Sequence, residues 1–219
     1  MAVQEVATSA QSSHRPQITL RHATPADAPS ISQIGIYTFT QTFGHSMSAH
    51  DLQAYLSSSY SLEATTKDIL DLNKNMLVAT LPALSQPQAS PSSSPPSHHP
   101  PSHHPDESKD TEDVVVGFAL LTRGTTEPCL STYAQDTLIE LQRLYVHPHH
   151  HGLGAGTLLA RELESIARQQ GFKYMWLGVW EENLKAQRVY EKLGYRRVGD
   201  HNFVMGDEVQ TDWLLVKEL

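Results

Sequence analysis

The chain reads as an α/β (α+β) protein with a mixed, mostly antiparallel central sheet of six to seven strands flanked by helices. Strand-length apolar runs alternate with segments whose apolar residues recur at helical spacing. Gly, Pro, Ser and Asn stand at the boundaries, where turns and helix caps need them. In two places strands follow one another with no helix between them, which favours antiparallel pairing.

In order, Gln17–Arg21 alternates like a short strand, and Thr24-Pro25-Ala26-Asp27 opens a helix with Pro at its first position. Ile31, Ile34, Tyr37 and Phe39 continue at helical spacing as far as Gly44. A second helix follows Ser48 as cap, with Leu52, Tyr55 and Leu56 on one face, and a further one fits Ser61 through Ile69 and Leu72. Asn75–Leu81 has the composition of a buried strand. Residues 84–112 then turn to Ser, Pro and His, with seven of the chain's thirteen prolines and no Phe, Trp or Tyr. Such a stretch cannot bury enough apolar surface to offset its chain entropy, so a disordered insertion is expected there. Its paired histidines, His98-His99 and His103-His104, are open to two readings, a weak metal site or a spacer. Prolines and the lack of a rigid scaffold favour the spacer.

Asp113–Arg123 and Leu138–Val146 read as two long strands separated by a loop-like Gly124–Asp136. The insertion therefore falls in a hairpin connection, where each doubling of length costs only about 0.6 kcal/mol. A helix from Gly154 to Gln170 puts Leu159, Leu163, Ile166 and Ala167 on one face, and Gly171 stops it. Tyr174–Val179 is a strand. Asn183–Leu193 is a helix with Ala186, Val189, Tyr190 and Leu193 at i, i+3, i+4 and i+7, ended by Gly194. Tyr195–His201 and Thr211–Lys217 close the sheet. The expected organisation is a floppy tail at 1–15 and one domain at 16–219, interrupted at 84–112.

Composition narrows the function. Apolar residues make up 39% of the 219, a deficit confined to the insertion. The net charge is -8 with no basic patch, so nucleic acid is a poor partner. An acidic balance is compatible with a cationic substrate and equally with plain solubility. Cys129 is the only cysteine, which excludes an intrachain disulfide and makes a reducing, cytoplasmic setting the default. It has no neighbouring base in sequence, so a packed thiol is favoured over a nucleophile. No apolar run approaches a membrane span, and Met1–Arg15 lacks the apolar stretch of a signal peptide.

The strongest local feature joins a strand to a helix: Val146-His147-Pro148-His149-His150-His151-Gly152-Leu153-Gly154-Ala155-Gly156. Glycines at 152 and 154 permit a tight turn, and the free N–H groups of the helix start, with its dipole, suit a pyrophosphate. By itself the pattern is equally a tight strand-to-helix connection. It resembles, however, the coenzyme A signature of the GNAT superfamily of N-acetyltransferases, Gln/Arg-x-x-Gly-x-Gly/Ala, after the fourth strand and opening the third helix. Leu177-Gly178-Val179-Trp180-Glu181-Glu182-Asn183, then Ala186 and Val189-Tyr190-Glu191-Lys192-Leu193-Gly194-Tyr195, resembles the second signature of that family. Further segments are similar to the PaiA-type spermidine/spermine N-acetyltransferases. They are Tyr37–Phe43, Glu140–Val146, Trp176–Glu181 and the run His201–Asp212. The resemblance spans nearly the whole chain except the tail and the insertion.

The resemblance implies the GNAT fold, acetyl-CoA as co-substrate, no metal, and a small amine acceptor, with a polyamine favoured. Other acceptors remain open: a protein N-terminus or lysine, another small amine, or none in a silent coenzyme A-binding module. Both monomers and homodimers occur in the family. Expected cofactor contacts are the strand end Leu144-Tyr145-Val146 and the loop and first turn His149-His150-His151-Gly152-Leu153-Gly154-Ala155-Gly156-Thr157. Asn183, Lys185, Tyr190 and Lys192 complete them. His149 departs from the usual Gln or Arg, which backbone-dominated phosphate binding tolerates. The three histidines would add positive charge there as pH falls. They are poorly spaced to converge on one zinc ion.

Acetyl transfer to an amine needs a neutral amine, a polarised carbonyl and a protonated leaving thiolate. Glu140 aligns with a glutamate that often serves as base, or is an exposed strand carboxylate. Leu144 and Val146 are the expected sources of polarising N–H groups. Tyr190 matches the tyrosine that commonly protonates the thiolate, although its spacing also fits helix packing. Asn183 contacts the pantetheine arm, caps the helix, or both. For the acceptor, the resemblance points to Asp207, Glu208 and Asp212 with the rings of Tyr37 and Phe43, against a hairpin that simply faces water.

Overall fold

Period-two apolar runs become the strands of one sheet, and the helical runs cover its two faces. The structure, a computed structural model, describes residues 17–83, 113–205 and 208–219, without the side chains of 203–208. The expected tail and insertion fall outside the described residues. The strands are β1 (Thr19–His22), β2 (Lys74–Leu81), β3 (Val114–Thr122), β4 (Leu138–Val146), β5 (Tyr174–Trp180), β6 (Arg196–Met205) and β7 (Glu208–Glu218). The helices are α1 (Ala28–Phe43), α2 (Ala49–Tyr60), α3 (Leu62–Leu70), α4 (Ala155–Gln169) and α5 (Leu184–Lys192). The strands form a seven-stranded sheet in the order β1-β2-β3-β4-β5-β7-β6. All neighbours are antiparallel except β4 and β5, whose connection runs through α4.

Local chemistry sets the boundaries. Ser48 Oγ accepts from Asp51 N at 3.1 Å and Ser61 Oγ from Ala64 N at 3.2 Å, capping α2 and α3. Gly171 and Gly194 take φ of 88° and 94° just past α4 and α5. The Thr-Pro-Ala-Asp start is a 3-10 turn, Pro25–Asp27, leading into α1. β6 and β7 run further toward each other than the expected Tyr195–His201 and Thr211–Lys217. Asn202 pairs with Thr211 and Met205 with Glu208.

The hairpin flanking the insertion is formed, with Leu81 paired to Val114. On one sheet face α4 and α5 bury Leu159, Leu163 and Ala186 against Ile139, Leu141 and Met175. The other face carries two clusters. Phe39, Tyr60, Val78, Phe118 and Leu120 pack under α1 and α2, and Leu130, Leu138, Trp176, Leu214 and Val216 pack beside the closing strands. Each such side chain contributes about 1.5–3 kcal/mol on burial. Gly35 of α1 lies directly on the Tyr60 ring, where a Cβ would collide, so α1 and α2 approach closely.

Candidate active site

A cleft opens because β4 and β5 stop pairing. Their ladder joins Leu138 to Tyr174, Ile139 to Met175 and Glu140 to Trp176, and ends there. A bulge in β4 coincides with the parting. Leu121 and Leu120 of β3 face Leu141 and Arg143, which leaves Gln142 as the extra residue. A bulge bends and twists its strand, and this one lies where β4 leaves β5. The cavity between the strands holds about 670 Å³.

Strand alternation fixes which amides face it. His147 N donates to Val116 O at 2.9 Å, toward β3. With a period of two, Leu144 and Val146 turn their N–H groups to the opposite edge, the one β5 has left. Both residues line the cavity.

One end of the cavity is a row of amides. Gly152 and Gly154 adopt φ of 80° and 92°, left-handed values that cost other residues roughly 1–2 kcal/mol. Gly154 is the N-cap of α4 and brings no capping side chain. The first-turn N–H groups of Ala155, Gly156 and Thr157 therefore have no intrahelical acceptor, and the helix dipole favours an anion there. These five residues line the cavity, whereas Leu153 between the two glycines packs against the core.

The histidines divide. His150 and His151 line the cavity, whereas His149 is exposed and sits edge-on to His147 with centroids 4.9 Å apart. His151 Nε2 lies 2.8 Å from Val146 O and its Nδ1 lies 3.1 Å from Lys185 Nζ. A carbonyl only accepts and an ammonium only donates, so this ring carries its proton on Nε2 and holds Lys185 through Nδ1. It orients a lysine over the cleft. His147 stacks on Tyr37 at 5.1 Å, which keeps Tyr37 outside the cleft.

The middle of the cavity receives α5. Asn183 Oδ1 accepts from Ala186 N at 3.1 Å, so the asparagine does cap the helix, and it also lines the cleft with Lys185 and Tyr190. Burial pushes the Tyr190 phenol well up, and Tyr145 adds to this, so Tyr190 keeps its proton at neutral pH. Lys192 is exposed and does not line the cleft.

The other end is walled by rings from α1, α2, β4 and β5. Phe43 and Trp180 lie 5.2 Å apart, and Phe39 stacks on Tyr55 at 4.3 Å. Gln210 Nε2 donates to Ser46 Oγ at 2.7 Å, tying β7 to the α1–α2 loop. Tyr145 accepts from Tyr60 Oη at 3.0 Å, and burial pushes its own hydroxyl up to about 12. Arg143 donates to Asp68 at 2.8 Å, beside a Lys74–Asp68 contact of 2.5 Å. Asp212 lines the cleft, and burial raises its carboxyl above the ordinary aspartate range while the charge of His201 pulls the other way.

The structure thus gathers Phe43 and Asp212 with the cofactor-side residues. Asp207 and the side chain of Glu208 lie outside the described residues. Glu140 does not line the cleft. It sits on the last paired rung of β4 and β5, beside the Thr125 hydroxyl, and burial followed by Glu127 raises its carboxyl. Sequence reasoning missed Arg143, Gly178, Trp180 and Gln210 as cleft residues. Gly178 gave a signal, because a glycine inside an apolar strand marks a close approach. Among the described residues no three His, Cys, Asp or Glu side chains gather as a metal site. No helix among them is long and apolar enough to cross a membrane.

The profile of the Acetyltransferase (GNAT) family matches residues 75–195. An uncharacterized N-acetyltransferase of Mycobacterium bovis is 35% identical over 105 residues, which cover 48% of this chain and 61% of that protein. The matched region thus spans about three fifths of the relative's length. PaiA N-acetyltransferase from Thermoplasma acidophilum, solved in complex with coenzyme A, aligns over 93% of this chain and 99% of its own. The TM-score is 0.62 and the identity 18%. Arabidopsis thaliana NAA60, solved with a bisubstrate analogue, aligns over the same shares, 93% and 99%, with a TM-score of 0.64 and 14% identity. These structures share the fold. With its parted β4 and β5, its glycine loop and a family profile matched over more than half its length, the chain belongs to the GNAT family of acetyltransferases.

Proposed function

We propose that the chain transfers the acetyl group of acetyl-CoA to a primary amine by direct attack in a ternary complex. One observation carries the reading: a single cleft holds free helix-start amides at one end, Tyr190 in the middle, and aromatic rings with Asp212 at the other. The cleft fits the co-substrate, since an amide row suits a pyrophosphate and the bare β4 edge suits an extended arm. Coenzyme A in the PaiA structure of the same fold supports this assignment. Acetyl-CoA, when bound, supplies an activated thioester.

The chain's own residues do the remaining work. Ala155, Gly156 and Thr157 N–H groups hold phosphate oxygens, and Lys185, steadied by His151, adds a cation. Leu144 and Val146 N–H groups stabilise charge on the carbonyl oxygen. Tyr190, kept protonated by burial, gives its proton to the leaving sulfur. A polyamine is the favoured acceptor: the PaiA-type resemblance, the ring-lined end and Asp212 support it, with Asp207 and Glu208 as further carboxylates. The experiment is acetyl-CoA turnover against spermidine, a lysine peptide, a free peptide N-terminus and benzylamine. Spermidine is expected to give the highest kcat/KM. Coenzyme A binding without turnover of any amine would leave a binding module instead.

A further inference from the structure

We propose that Asp212, rather than Glu140, takes the proton of the acceptor amine. This rests on the acetyl-transfer reading above. Among the described residues Asp212 is the one carboxylate on the cleft wall. It stands beyond the point where β4 and β5 part, paired in register with Trp180 of β5 and His201 of β6. Gly178 makes room for it: a Cβ at that position would sit 3.2 Å from Asp212 Oδ2.

The surroundings leave this carboxylate available. Among the described residues no side-chain hydrogen bond reaches it, and its Oδ2 lies against the space that Gly178 leaves. The groups around it are His201 on β6, Tyr145 on β4, His45 of the α1–α2 loop against Trp180, and Arg143 across the cleft. Three of them are engaged elsewhere. His201 Nδ1 lies 3.2 Å from Glu127, Tyr145 bonds Tyr60, and Arg143 bonds Asp68. Glu140, by contrast, lies on the last closed rung, with Thr125 and Glu127 around its carboxyl. Burial makes Asp212 more basic than an exposed aspartate, which narrows its gap to an ammonium near pKa 10.

Asp212 takes one N–H proton from the ammonium and frees the nitrogen lone pair. That pair forms the C–N bond to the acetyl carbon while the C–S bond breaks and its electrons stay on sulfur. Sulfur takes the Tyr190 hydroxyl proton, and the second N–H proton returns to the Tyr190 oxygen. Asp212 then releases its proton to solvent, so ammonium and thioester become amide, thiol and one proton.

The test uses the full chain with acetyl-CoA and the best amine of the panel above, from pH 6 to pH 10. Asp212→Asn should lower kcat/KM at pH 7 by about 10²-fold or more, with the acetyl-CoA KM within about two-fold. The deficit should shrink about tenfold per pH unit as free amine accumulates. A group that merely binds the ammonium would give no such recovery. In the wild type the carboxylate is lost as pH falls through its raised pKa, so activity should fall at a pH above that of an ordinary aspartate. Glu140→Gln should lose at least tenfold less than Asp212→Asn. Gly178→Ala, which crowds the carboxylate without removing it, should lower kcat/KM for the amine by roughly tenfold and serves if Asp212→Asn fails to fold. A larger loss in Glu140→Gln than in Asp212→Asn, or an Asp212→Asn deficit constant to pH 10, overturns the proposal. No wild-type turnover of any amine would overturn the acetyl-transfer reading with it.

Discussion

The amide-lined end of the cleft comes from one stretch of chain, the end of β4, the glycine loop and the first turn of α4, with α5 following one strand later. The aromatic end is collected from α1, α2, β4, β5 and β7, which meet only through packing and sheet register. The first end works through backbone amides and positive φ, features that neighbouring residues dictate. The second works through side chains whose position depends on the whole fold. A substitution should therefore act on one co-substrate at the first end and on the other at the second, with Tyr190 between them affecting both.

The largest effect beyond Asp212 is expected at that shared point. Tyr190→Phe should lower kcat by about 10²-fold or more with either co-substrate saturating, while coenzyme A binding by calorimetry stays within about two-fold. A large fall in binding instead would give Tyr190 a packing role against Tyr195, whose ring lies 5.7 Å away. Next comes Gly154→Ala, which places a Cβ at φ 92° where an L-residue is strained by roughly 1–2 kcal/mol. The acetyl-CoA KM should rise about tenfold and the amine KM hardly at all. Equal rises in both would erase the distinction between the two ends. The smallest effect is expected from replacing residues 85–111 with a short turn. Leu81 and Val114 remain paired, so turnover should stay within about two-fold of the full chain.

The same contrast explains what could be read from sequence. The cleft positions of Gly152, Gly154, Asn183 and Tyr190 were legible because strand, loop and helix follow one another and each position is set locally. The strands β4 and β5 were legible as apolar runs, but their parting was not, since a missing ladder has no composition. Tyr37 fits helical spacing and an aromatic acceptor wall, yet it stacks on His147 outside the cleft. Further along the same helix, Phe43 reaches Trp180. Glu140 was placed by resemblance. The register puts it one rung short of the opening, a distinction that only strand pairing reveals. Arg143 lies over the Tyr60 ring of α2 and bonds Asp68 of α3, next to the bulge at Gln142, and a bulge is invisible to a period-two reading.

The short β4–β5 ladder has a mechanical side as well. Three rungs form the seam between a four-stranded plate and a three-stranded plate, and past Glu140 the β5-facing edge of β4 has no strand across from it. Amide hydrogens at Leu144 and Val146 should then exchange with solvent faster than those of Tyr145 and His147, which face β3. A ligand lying along that edge would act as a temporary extra strand. Its arrival would be recorded as slowed exchange at two alternating positions, a signature of the occupied enzyme that needs no turnover to detect.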